Sequence, residues 1–101
     1  MDKRLKLHEE LCAILGSRNV YFQPPENIRM EYPAIKYSLQ DNRNTHADNR
    51  VYFQSRLYDI TVIDRNPDSE IMKRISQMRG ARFDRSYTSD NLNHWVFTLN
   101  Y

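Results

Sequence analysis

The chain has 101 residues, enough for one domain and too few for two. Fifteen Lys and Arg nearly balance thirteen Asp and Glu, for a net charge of +2, and no cationic run dominates. That balance argues against strong sequence-independent DNA binding. Hydrophobic residues make up 40% of the sequence and seven residues are tyrosines, whose rings pack at one end and stay wet at the other. A chain of this length builds a thin core, which neighbouring subunits can supplement. Arg outnumbers Lys and suits semi-buried pairing at interfaces, although an ordinary solvated surface can use it equally well.

Residues 2–16 read as a helix, because Leu7, Leu11, Ile14 and Leu15 recur at spacings that share one face. Gly16 is its stop. Cys12, the lone cysteine, falls on the apolar side and reads as a small core residue; it has no internal disulfide partner. The charged opening segment lacks the apolar run of a signal peptide, and no stretch reaches the length of a membrane span. A reducing cytosol is the expected compartment.

Residues 19–23 are β-prone and end at Pro24-Pro25, which cannot continue a ladder. A second β segment spans about 30–40, with Ile35, Tyr37 and Leu39 on one face and Pro33 near its start. Residues 41–50 are almost devoid of apolar content and rich in Asn and Asp, which favour turns. Joining two strong strands, they read as a projecting loop or hairpin arm, longer than an ordinary hairpin connection. Asp41, Asn42, Arg43, Asn44, His46, Asp48, Asn49 and Arg50 are therefore the candidate protein-docking loop.

Residues 51–64 form the clearest strand, with Tyr58, Ile60 and Val62 facing one way. Asn66 as cap and Pro67 at the first helical position predict a second helix, whose apolar face is Ile71, Ile75 and Met78 and whose stop is Gly80. Residues 81–87 are a strand with Phe83 and Tyr87 on one face, and 88–91 are a turn. The last segment, 92–101, puts Trp95, Phe97, Leu99 and Tyr101 together. The order α-β-β-β-α-β-β, with strands in hairpin pairs, predicts an α+β fold: a mostly antiparallel sheet with two helices packed on one face.

The sequence carries no credible constellation for catalysis, and the chain reads as a non-enzyme. Cys12 would need His and a carboxylate nearby in space to act as a nucleophile. His8, His46 and His94 lack a ligand-like spacing, and His46 with Asp48 reads as a solvated pair in a loop. Asp59 and Asp64 are five apart, on opposite faces of a regular strand. Gly16 and Gly80, the two glycines, are both accounted for as helix stops, which leaves no phosphate loop. No catalytic, cofactor-binding or metal-ligating residue is expected. Arg79, Arg82 and Arg85 with Tyr87 form a secondary basic and aromatic patch; such patches can stack and neutralise single-stranded nucleic acid, but a solvent face with ordinary ion pairs is the more economical reading.

Three groups of segments resemble one family. Asn19-Val20-Tyr21-Phe22-Gln23-Pro24-Pro25-Glu26-Asn27, followed by Tyr32-Pro33-Ala34-Ile35-Lys36-Tyr37, is the first. Ala47-Asp48-Asn49-Arg50-Val51-Tyr52 with Arg56-Leu57-Tyr58-Asp59-Ile60-Thr61-Val62-Ile63 is the second. Phe83-Asp84-Arg85-Ser86-Tyr87 before Leu92-Asn93-His94-Trp95-Val96-Phe97-Thr98-Leu99 is the third. In this order they resemble the tail terminator, tail completion or tail-to-head joining proteins of long-tailed bacteriophages and prophages. The resemblance spans nearly the whole chain and is weakest in the N-terminal helix.

The resemblance implies an α+β fold and a structural virion protein. It implies a homo-oligomeric ring, usually a hexamer, at the head-proximal end of the tail, assembled in the host cytoplasm. Its partners would be itself, the tail tube protein and a head-tail connector or stopper protein. DNA would only pass through the lumen, and no membrane or cofactor is involved. Alternative readings are a head-completion or stopper protein of the neck and, in another class, a small nucleic-acid-binding module.

Overall fold

The computed structural model describes residues 3–25, 28–40 and 57–101. The elements are α1 (Lys3–Leu15), β1 (Val20–Phe22), β2 (Ala34–Leu39), β3 (Leu57–Asp64), α2 (Glu70–Ser76), β4 (Ala81–Ser89) and β5 (Leu92–Asn100). This is the expected α+β order. The strands form one sheet in the order β1-β2-β3-β5-β4. The expected docking loop, 41–50, and the first part of the expected strand, 51–56, lie outside the described residues.

All neighbouring strands are antiparallel except β1 and β2, which run parallel with Val20 opposite Ile35 and Phe22 opposite Tyr37. The expectation that every strand joins a hairpin pair is thus corrected at β1. Parallel neighbours need a crossover in place of a tight turn. The connector after Pro24-Pro25 supplies it, and the Glu31 amide donates to the Tyr21 hydroxyl at 3.4 Å. The β2 ladder starts at Ala34, later than expected, because Pro33 has no amide to contribute.

The register sorts the side chains into two faces. Val20, Ile35, Val62 and Trp95 form one row across the sheet, and Phe22, Tyr37, Ile60 and Phe97 form the next on the same side. Leu7, Leu11 and Cys12 of α1 and Ile71 and Ile75 of α2 join this face in one buried cluster. Both helices therefore cover the same side of the sheet, as their apolar stripes predict. The opposite side is also closed at its centre, where Ala34, Thr61, Ile63 and Val96 are buried.

Polar contacts fix the helix ends. Gly16, at φ +83°, terminates α1, its amide donating to the Cys12 carbonyl at 2.8 Å. The Arg74 guanidinium reaches from α2 to donate to the Ile14 carbonyl at 3.0 Å, tying the two helices together. The expected start of α2 is corrected. Ser69, fully buried, is the N-cap, and its hydroxyl accepts from the Met72 amide at 3.3 Å. The Asn66 side chain is spent locally, accepting from the Asp68 amide at 2.9 Å, a turn that Asn makes readily.

The far end of α2 is corrected as well. The helix closes at Ser76 with Gln77 as C-cap, not at Gly80. Gly80 instead begins the entry to β4 at φ +87°, where a Cβ would meet the Asn100 carbonyl oxygen at 2.4 Å. Only glycine fits that approach. Asp90 and Asn91, with φ of 55° and 63°, then close the β4–β5 hairpin, residue types that tolerate the left-handed region.

Candidate functional site

Strand β4 lies at one edge of the sheet because β5, not β4, takes the apolar central place beside β3. β5 buries Leu92, Trp95, Val96, Phe97 and Leu99, whereas every β4 residue after Ala81 is exposed. The result is a nine-residue edge strand open on both faces. Such an edge is a template for pairing with another chain.

Its register is interrupted once. Phe83 pairs with Phe97 and Arg85 with Val96, so Asp84 is the extra residue of a bulge. The bulge overturns the expectation that Phe83 and Tyr87 share a face. Phe83 is on the helix side, its ring edge-to-face against Phe97 with centroids 5.5 Å apart. Tyr87 is on the other side, stacked on His94 at 4.6 Å and 10°. Arg82, opposite Thr98, and Arg85, opposite Val96, fall on the Tyr87 side.

Of the expected basic and aromatic patch, Arg82, Arg85 and Tyr87 thus come together, flanked by His94. Arg79 does not join them. It precedes the strand and lines a separate depression of about 380 Å³ with Glu10, Met78, Asn100 and Tyr101. The patch is also less cationic than its arginines suggest, since Arg85 pairs with Asp84 at 2.6 Å. Phe83, 57% exposed, and His94 also belong to this edge, although the sequence reading places neither in the basic and aromatic patch. The polar neighbours of Phe83 were the available signal: a ring flanked by Arg82, Asp84, Arg85 and Ser86 sits in a strand with little apolar surface to bury.

The remaining reactive groups are buried or hydrogen-bonded. Cys12 is buried, and that burial raises its thiol pKa, which disfavours the nucleophilic thiolate. The His8 Nδ1 lies 2.7 Å from the Tyr37 hydroxyl. Burial, then the Arg4 charge, lowers the His8 pKa. The Tyr101 hydroxyl donates to Glu10, and burial followed by that carboxylate pushes its pKa up to about 12. Among the described residues, no group of three or more His, Cys, Asp or Glu is arranged to hold a metal ion. Among them, too, no helix is long and apolar enough to cross a membrane.

Comparisons with protein-family models, curated proteins and solved structures return no match.

Proposed function

We propose that this chain is a structural protein of a phage virion, acting at the head-proximal end of a long tail. It forms a ring, most simply a hexamer, that stops polymerisation of the tail tube protein and presents a surface to the head-tail connector or stopper. The three ordered stretches that resemble tail terminator and tail completion proteins carry this reading. The open β4 edge supports it, because a protein that works by docking needs an accessible surface, and backbone groups on an edge strand provide one. A closed ring of rotated copies has no free end, so its formation terminates growth. No catalytic step is assigned.

Electron microscopy of a lysate from phage lacking the gene tests the proposal. Abnormally long, headless tails are the expected result. Tails of normal length beside filled heads would move the protein to a head-completion or stopper position in the neck.

One observation favours a second reading, a small nucleic-acid-binding module. Arg82, Arg85 and the Tyr87–His94 stack share a sheet face, an arrangement on which single-stranded bases can stack. Binding of a single-stranded oligonucleotide that weakens steeply with salt would support it. No binding at low salt would dispose of it.

A further inference from the structure

The backbone of β4 presents an uneven row of hydrogen-bonding groups. The turn at Asp90 and Asn91 makes Ser89 and Leu92 the closing pair of the hairpin, so Ser89 points its backbone groups toward β5. Alternation then turns Thr88 and Ser86 outward. At the other end the Gly80 carbonyl accepts from the Asn100 amide at 3.1 Å, so Gly80 faces inward and Ala81 and Phe83 face outward. The two ends agree only because the Asp84 bulge adds one residue between Phe83 and Ser86. The Ala81 amide is already held by the Met78 carbonyl at 3.1 Å, so Ala81 offers its carbonyl alone.

A regular strand, whose outward groups recur at every second residue, can match this row on one side of the bulge but not on both. A second copy of β4, running antiparallel about a two-fold axis between Asp84 and Arg85, brings every outward residue opposite another, with two bonds at each Phe83–Ser86 pair and one at each Ala81–Thr88 pair, where the Ala81 amide is already held. Phe83 then faces Ser86 of the second copy, Ala81 faces its Thr88, and the axis repeats both pairs. No other antiparallel register of β4 with itself pairs all of these outward residues. The side chains agree with the backbone. Phe83, Ser86, Ala81 and Thr88 lie on the helix side, while Arg82 meets Tyr87 of the second copy on the other. Directly opposite residues of paired strands must share a face, and here they do.

Charge complements this register. Asp84 of each copy, already paired with its own Arg85 at 2.6 Å, stands opposite Arg85 of the other, so the axis gathers two carboxylates and two guanidiniums in alternation. Arg82 of each copy meets the Tyr87 ring of the other, a cation–π arrangement. We infer that the free protein associates through β4 into a two-fold dimer, joining two sheets into one continuous sheet with β4 strands at its centre. This pairing concerns the free protein and does not rest on the proposed role in a tail.

Sedimentation equilibrium of the full chain over a range of concentrations tests the inference. The expected mass rises from 12.2 kDa toward twice that value. D84R alone and R85D alone each place like charges at the axis and weaken the dimer by on the order of tenfold or more. An equimolar mixture of D84R and R85D restores it. In the mixed dimer the introduced arginine faces the introduced aspartate, and the remaining Arg85 faces the remaining Asp84.

S86P provides a second test. It removes an outward amide that the β4–β5 ladder does not use, so it abolishes the dimer while the circular dichroism spectrum is kept. A wild-type protein that stays monomeric at every concentration overturns the inference. So does a dimer that the single charge reversals or S86P leave intact, or one that the mixture fails to restore.

Discussion

Arg82 and Arg85 are three positions apart yet share a face of β4, because Asp84 between them is the extra residue of a bulge. The same residue sends Phe83 and Tyr87, four apart, to opposite faces. Their substitutions therefore have different consequences. Phe83→Ala removes an edge-to-face contact with the buried Phe97 ring and is expected to cost about 1–2 kcal/mol. Tyr87→Ala removes a stack on half-buried His94 at the outer face and is expected to cost about 0.5–1 kcal/mol. Urea unfolding of the two variants measures the difference, and a larger loss from Tyr87→Ala would contradict this assignment of faces.

The two glycines both have positive φ but meet different surroundings. At Gly16 an added Cβ would find nothing within 4 Å, so Gly16→Ala carries only the left-handed backbone penalty, about 1 kcal/mol. At Gly80 the same Cβ would press on the Asn100 carbonyl oxygen at 2.4 Å, a backbone atom of the last turn of the β5 ladder. Gly80→Ala is expected to cost about 2–4 kcal/mol, combining backbone strain with displacement of β4 from β5. Thermal unfolding of both variants ranks them, and equal losses would refute the close approach.

Helix α2 offers a direct test of which residue caps it. Ser69 is fully buried and its hydroxyl accepts from the Met72 amide. Ser69→Ala leaves that amide without its partner and is expected to cost about 1–2 kcal/mol. Asn66→Ala, which loses an exposed turn contact to Asp68, is expected to cost about 0.5 kcal/mol. Denaturant midpoints in the same buffer are the measurement. The reverse ranking would return the cap to Asn66.

These residues also mark what could be read without the structure. The apolar periodicities of α1, β3 and β5 were legible because Leu7, Leu11, Tyr58, Ile60, Val62, Trp95, Phe97 and Leu99 repeat at helix or strand spacing and are buried. The α+β order followed from them. The cap was misplaced because Asn66-Pro67 carries a helix-start signal that Ser69 carries equally well. Only the competing turn at Asp68 decides between them. The parallel pairing of β1 and the bulge at Asp84 depend on which strands become neighbours, and local patterns do not encode that. The β4 patch was half legible: its residue types were visible, but the face each occupies was set by one unpaired residue.

Tyr101 gives a spectroscopic handle on the depression it shares with Glu10 and Arg79. Its pKa, about 12, lies above the ordinary tyrosine value of 10.0, through burial first and the Glu10 carboxylate second. The neutral phenol is the form the fold favours. Its contribution to stability is therefore fully present below pH 10 and is lost as pH rises through about 12. Ultraviolet titration of the native protein should show Tyr101 among the tyrosines that ionise late, and Tyr101→Phe should remove its step near pH 12. A native titration unchanged by the substitution would count against the contact with Glu10.

His8 titrates in the opposite direction. Burial, then the Arg4 charge, lowers its pKa from 6.5, with Arg18 adding to the effect and Glu9 opposing it. Tyr37, whose own pKa is raised chiefly by burial, faces it across the helix–sheet boundary at 2.7 Å. The folded state thus favours the neutral imidazole. Its contribution to stability is present above pH 6.5 and is lost as pH falls through the lower folded value. A proton titration followed by nuclear magnetic resonance, with His8→Gln to assign the signal, should place the His8 midpoint below 6.5. Tyr37→Phe removes the hydroxyl partner and should shift that midpoint while the sheet stays folded, because the ring still fills its place beside Phe22 and Tyr58. A midpoint at or above 6.5 in the wild-type protein would mean that the imidazole is better solvated than its place between α1 and β2 implies.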